Sequence, residues 1–83
     1  MKTADEINEW LVLYLAKLLD VHVSEINRTA PLHEYGIDSA AAAGLSSDLG
    51  GWLGLELKDS LVFDYPTIEG LGAYLSAKLQ EGA

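Results

Sequence analysis

Ser39 is the one residue in this chain whose setting is prepared for chemistry. It follows Gly36-Ile37-Asp38 and precedes Ala40-Ala41-Ala42-Ala43. Glycine supplies a turn, aspartate is a strong helix N-cap, and alanine has the best helix propensity of any residue. A serine at the first helical position is therefore held at a positive helix end, beside backbone N–H groups that have no partner within the helix. A phosphate ester on its hydroxyl would sit where helix ends favour anions. Read alone, Gly-x-Asp-Ser also describes an ordinary capped helix, and those four residues favour that plainer reading.

Nucleophilic catalysis is a different use of a serine, and it asks for more. An unassisted hydroxyl is a weak nucleophile that needs a neighbouring base. The only histidines are His22 and His33, both upstream of Ser39, and no Gly-x-Ser-x-Gly elbow is present. A small bundle also has little room for an oxyanion hole and a substrate cleft. No catalytic residue is therefore assigned, and both histidines read as surface residues. Two histidines scattered among carboxylates without close spacing make a poor zinc site, so no metal is expected either.

Composition narrows the classes further. The chain has 83 residues, a formal charge of −8 and no cysteine. This is one small domain, without disulfides and without a thiol of its own. From Glu34 to Glu69 there are seven carboxylates and a single basic residue, Lys58. Such a surface repels nucleic-acid backbones. It serves solubility, or steering toward basic partner proteins. The longest apolar run, Trp10 to Leu19, is interrupted by Lys17 and is about half the ~20 residues a membrane span needs. With no basic leader or small-residue cleavage site, it does not read as a signal peptide. A cytoplasmic, monomeric domain is the expectation.

The elements that must position Ser39 can be read from periodicity. Thr3-Ala4-Asp5-Glu6 forms a capping box for a helix over Ala4 to Leu19. Ile7, Leu11, Tyr14, Leu15 and Leu18 recur on one face, widened by Trp10, Leu13 and Leu19. A long connection, Asp20 to Asp38, is anchored by Val21, Val23 and Ile26, with a short turn at Ser24-Glu25. Leu32 and Tyr35 act as buried pins within it. The second helix runs from Ser39 to about Leu53, with Ala41, Ala42, Leu45, Leu49, Trp52 and Leu53 inward. Ala40, Ala43 and Ser47 face out. A strand over Trp52 to Leu57 is rejected because nothing is available to pair with it. Asp59 to Phe63 reads as a short third helix. Thr67 caps a last helix striped by Ile68, Leu71, Leu75 and Leu79, with Tyr74 beside the stripe. The predicted fold is all-α: a small four-helix bundle with a long loop between helices 1 and 2 and a short helix 3. One domain spans residues 3–79, and 80–83 are a tail. That ending suits a domain cut from a larger protein and a small free-standing product equally. Trp10, Trp52 and Phe63 could stack a ligand, but on helical stripes they read as core.

From Gly36 to Thr67 the sequence resembles the acyl carrier proteins, most closely the carrier domains of modular polyketide synthases. The pieces that carry the resemblance are Gly36-Ile37-Asp38-Ser39, Leu45 and Leu49, Leu53-Gly54-Leu55-Glu56-Leu57, and Leu61-Val62-Phe63-Asp64-Tyr65-Pro66-Thr67. They fall in register without a gap. The resemblance implies that Ser39 is esterified with phosphopantetheine from coenzyme A, whose terminal thiol carries acyl intermediates in polyketide or fatty-acyl biosynthesis. It implies that Asp38 helps a phosphopantetheinyl transferase to dock, besides capping the helix. The implied partners are that transferase and the acyl-loading and acyl-processing enzymes of a synthase: a ketosynthase, an acyltransferase or an acyl-AMP ligase. It also implies shelter for an acyl chain between helices, for which Ala41, Ala42 and Gly44 could leave space. Closer helix packing is the plainer use of those small residues.

The chain departs from its relatives along the second helix. Ala40 replaces a common leucine or methionine, and Gly44, Ser46 and Ser47 stand where relatives often carry charge. The exposed part is mostly alanine, glycine and serine, with Asp48 its only charge. Ala40, Ala43 and Ser47 are accordingly the candidate partner face, one that reads shape more than charge. Peptide-synthetase carriers usually show Gly-Gly-His-Ser or Gly-Gly-Asp-Ser at this point, and this chain does not. Gly44-Leu45-Ser46-Ser47-Asp48-Leu49 with Trp52-Leu53-Gly54 is similar to carriers loaded by fatty acyl-AMP ligases. The alternative function is a small acidic helical module that binds a partner and holds no substrate.

Overall fold

The structure is a computed structural model that describes residues 2–81. It contains four α-helices: α1 (Ala4–Leu19), α2 (Ser39–Leu53), α3 (Leu61–Asp64) and α4 (Ile68–Glu81). The two longest predicted helices, α1 and α2, have the predicted ends, and α2 continues through its glycines to Leu53, with no strand among the described residues. Among the described residues no helix is long and apolar enough to cross a membrane.

The α1 capping box forms as read. The Thr3 hydroxyl accepts the Glu6 N–H at 3.2 Å, and the Glu6 carboxylate accepts the Thr3 N–H at 3.1 Å. That bond from the Thr3 backbone holds the Glu6 carboxyl below its ordinary range. The fully buried core is Ile7, Leu11 and Leu15 from α1, Leu45 and Leu49 from α2, and Ile68, Leu71 and Leu75 from α4. α1 and α4 approach closely because Gly72 lies against Asn8, whose side chain a Cβ at Gly72 would strike. With its amide assigned so that the nitrogen faces them, Asn8 donates to the carbonyls of Ile68 (3.1 Å) and Ala4 (3.3 Å).

Backbone pins order the long connection. A 3₁₀ turn at Val23–Glu25 and another at Leu32–Tyr35 interrupt it. The Leu32 N–H donates to the Pro66 carbonyl at 2.7 Å and the Glu69 N–H to the Arg28 carbonyl at 3.0 Å, which ties the loop to the start of α4. Leu32 is buried, as expected, and the Tyr35 hydroxyl accepts the Asn27 N–H at 2.7 Å. Thr67 caps α4, its hydroxyl accepting the Gly70 N–H at 3.0 Å.

Several expectations require correction. Leu13 and Leu18 belong to the predicted apolar face of α1 but are 53% and 48% exposed. The neighbouring helices cover only one side of α1, where Asn8 and Ala16 take core positions instead. Helix α3 begins at Leu61, because Lys58 to Ser60 form the turn that the Leu61 N–H closes onto the Lys58 carbonyl. A single helical turn has one inward side, which Leu61 and Val62 occupy, so Phe63 is turned out and 59% exposed. It is not core and does not join the tryptophans. Ser46, at a position where relatives often carry charge, is buried. Helix α4 continues through Gln80 and Glu81, good helix formers, two residues into the expected tail. Gly82 and Ala83 lie outside the described residues.

Candidate functional site

The turn before α2 is built to hold one side chain out. Gly36 has φ +74°, a left-handed value that glycine adopts without strain, and its N–H closes the preceding 3₁₀ turn onto the His33 carbonyl at 3.1 Å. Ile37 is buried and anchors the turn to the core. Asp38 is extended and caps the helix: its carboxylate accepts the Ala41 N–H at 2.8 Å and its carbonyl the Ala42 N–H at 2.8 Å. Ser39 is then the first residue of α2 and is exposed. Among the described residues, the Ser39 and Ala40 N–H groups are left without acceptors. An anionic ester on the Ser39 hydroxyl fits this setting. It would meet the helix's positive end and two unpaired donors, with no backbone or side chain to displace.

Among the described residues, no basic side chain hydrogen-bonds to the Ser39 hydroxyl. The His22 ring is occupied at its own turn, where Nδ1 lies 3.1 Å from the Ser24 nitrogen and 2.9 Å from its hydroxyl. Both histidines are exposed, and neither bonds to Ser39. Among the described residues, no group of acidic, histidine or cysteine side chains could hold a metal.

Down the helix from Ser39, Ala40 and Ser47 are exposed and Ala43 is half-buried, so the three candidate face residues lie on one open side of α2. Asp48, the only charge on α2, is tied to α1, accepting from the Tyr14 hydroxyl at 2.8 Å. Partial burial, then that bond and the carboxylate's charge, push the Tyr14 phenol above its ordinary value. Ala42 is fully buried, and a Cβ at Gly44 would lie 3.8 Å from the Tyr14 hydroxyl, an ordinary contact. Ala41 and Gly44 are half-buried, and α1 reaches this part of α2 through the Tyr14 side chain.

Three features escaped the sequence reading. Trp10 stacks between Tyr14 (5.0 Å between centroids) and Trp52 (5.4 Å), with Lys2 over the outer face of Trp52 at 4.7 Å. The spacing of Trp10 and Tyr14 on one helix hinted at half of this, but their partner on α2 is a tertiary fact. Phe63 borders a small apolar recess of about 100 Å³ formed with Leu32, Ile37 and Val62, close in sequence to Ser39. The third is Ser46, buried with no partner for its hydroxyl.

Comparison with known proteins accords with this geometry. The family model for the phosphopantetheine attachment site matches residues 9–75. The acyl carrier protein TtuC of Teredinibacter turnerae is 33% identical over 76 residues, covering 92% of this chain and 87% of that protein. The polyketide synthase PksL of Bacillus subtilis is 33% identical over 73 residues, which are 88% of this chain but only 2% of the synthase. Among solved structures, a free-standing peptidyl carrier protein from Acinetobacter baumannii superposes with a TM-score of 0.89 at 33% identity. That match covers 95% of this chain and 99% of the other. With a carrier bundle, a matching family model and a relative of nearly equal length, the chain belongs to the phosphopantetheine-bearing carrier proteins, non-catalytic and homologous to the acyl carrier domains of polyketide synthases.

Proposed function

We propose that Ser39 is the attachment residue and that the chain serves polyketide or fatty-acyl assembly as an acyl carrier. The observation that carries this is Ser39 itself, exposed as the first residue of a capped helix with free N–H donors beside it. When attached, phosphopantetheine supplies a terminal thiol, the one functional group this cysteine-free chain lacks. The protein's own part is positional. Asp38 fixes the start of α2, Ile37 anchors the turn, and Ser39 is presented without a base. A phosphopantetheinyl transferase must therefore provide the activation, reading Asp38 and the start of α2.

Ala40, Ala43 and Ser47 are the face on which loading and processing enzymes dock to reach the arm. Their side chains are small and uncharged, and Asp48 is already engaged by Tyr14. Recognition there rests on close approach of surfaces, since exposed ion pairs are worth only ~0.2–1 kcal/mol. The test is direct. Incubation with coenzyme A and a broad-specificity transferase should add one phosphopantetheine to the intact mass of the wild type and none to Ser39→Ala. An unchanged wild-type mass, or a gain that persists in the variant, refutes the assignment.

A further inference from the structure

Helix α1 turns Trp10 and Tyr14 toward α2 and Asn8 toward α4, and it leaves Leu13 exposed. Val23, from the connection after α1, is exposed as well. Both side chains line both of two shallow grooves, of about 370 and about 300 Å³, so they form the apolar ridge between them. An apolar ridge rimmed by charged residues marks a surface that meets another protein. Charge decides which protein fits. The chain carries −8 overall, yet the charged residues lining these grooves balance, Glu9 and Asp20 against Lys17 and Arg28. A basic partner finds no net charge here to attract it. A second copy of the chain meets no net like charge across this face, while the acidic excess lies outside it.

The order of the charges is self-complementary. Glu9, Leu13 and Lys17 are all exposed and are spaced four apart, so they form one row along α1. The carboxylate and the ammonium thus lie about 6 Å to either side of the leucine along the axis. An antiparallel second copy centred on Leu13 sets leucine against leucine and each Glu9 against the other copy's Lys17. Rows of this spacing interdigitate when two helices cross at about 50°. A parallel copy in the same register would oppose Glu9 to Glu9 and Lys17 to Lys17, so the row also specifies direction. The acidic Glu6 and Asp20 lie off this row and further from Leu13, and the Glu6 carboxylate already accepts the Thr3 N–H.

We propose that this face of α1 is the interface of a weak, two-fold symmetric homodimer. Leu13 and Val23 of each copy are buried against the other, and Glu9 pairs with Lys17 twice across the axis. The monomer expected from the sequence would leave the ridge in water. Helix α2 takes no part, so each chain keeps its Ser39 at an exposed helix start. The inference goes beyond the carrier reading and does not depend on it.

Sedimentation equilibrium of the intact, unmodified chain from about 10 μM to about 1 mM tests this, since a small interface is a weak one. The wild type should dimerise in the upper part of that range. Leu13→Ser should abolish the dimer, with circular dichroism checking that helicity is kept. Glu9→Lys and Lys17→Glu each replace two attractive pairs by two repulsive ones, and each should weaken association about tenfold. Mixed in equal amounts, these two variants should associate as strongly as the wild type, because each supplies the charges the other lacks. The double variant Glu9→Lys/Lys17→Glu should also dimerise like the wild type. The mixing result stands even if Leu13→Ser folds poorly. A wild type that stays monomeric throughout overturns the proposal. So does a dimer that folded Leu13→Ser leaves intact, or a mixture of the two charge variants that associates no better than either alone.

Discussion

Two adjacent glycines near the end of α2 should respond to alanine with opposite signs. A Cβ built on Gly50 would lie 2.6 Å from the Leu55 carbonyl oxygen and 3.6 Å from Leu57 Cγ. The first is a collision with backbone held by its own hydrogen bond, so it cannot be relieved by rotating a side chain. A Cβ on Gly51 would meet nothing within 4 Å. Both substitutions gain up to about 1 kcal/mol in helix propensity. Only Gly50→Ala also incurs an overpacking cost, typically about 1–3 kcal/mol. Gly51→Ala should therefore stabilise by up to about 1 kcal/mol and Gly50→Ala destabilise by about 1 kcal/mol. In a domain of this size 1 kcal/mol moves Tm by about 4–8 °C, which separates the two variants by about 8–16 °C. Thermal melts by circular dichroism measure this directly, with urea titration to check that the m-value is unchanged. Gly50→Ala melting as high as Gly51→Ala would refute the close approach of the Leu55 carbonyl to α2.

Asp38→Ala removes the α2 cap, so Tm should fall by about 4–8 °C for a loss of about 1 kcal/mol, with slower phosphopantetheinylation in a transferase time course. Tyr14→Phe should cost about 0.5–1 kcal/mol in urea denaturation at neutral pH. The Tyr14 phenol is raised in the folded state, so its contribution is complete below the ordinary tyrosine value of 10.0 and is lost as pH rises through the folded value. The alkaline limb of the stability curve should flatten in the phenylalanine variant. Glu6 is lowered, so its contribution is present above 4.5 and is lost as pH falls through the folded value; Glu6→Gln should flatten the acid limb. Ala40→Glu and Ala43→Arg should slow acyl loading with unchanged helicity, and the wild-type loading rate should tolerate added salt; wild-type rates in both variants would move the docking face off α2.

The parts of this fold legible in the sequence are those set by local rules. The capping box at Thr3 and Glu6, the Asp38 cap and the Thr67 cap are each decided within four residues, and all three form. The exposure of Ser39 followed from the same logic. Burial is different, because it depends on what arrives from elsewhere in the chain. Leu13, Leu18 and Phe63 have core-like side chains, yet no element covers them. Ser46 has a surface-like side chain, yet the segment after α2 folds back over its face. Gly50 carried a readable hint: a glycine inside a helix costs stability and often marks a close backbone approach. Its neighbour Gly51, with open space around it, shows why the hint was not decisive.

The distribution of packing also bears on how a carrier works. Six of the fully buried large side chains come from α1 and α4: Ile7, Leu11, Leu15, Ile68, Leu71 and Leu75. From α2 come Leu45 and Leu49, with the smaller Ala42 and Ser46 also buried. The side of the bundle that presents Ser39 is thus held by fewer apolar contacts, by glycine-mediated approach, and by polar ties such as Tyr14 to Asp48. Local opening is least costly where buried apolar contact is sparse. A protein whose chemistry is all supplied by partners has no need of a rigid catalytic geometry on that side. On the proposed reading, the Asp38 cap holds Ser39 at a fixed position at the start of α2. The α1–α4 pair supplies most of the fully buried core, so local opening should be least costly at α2 and the segment after it.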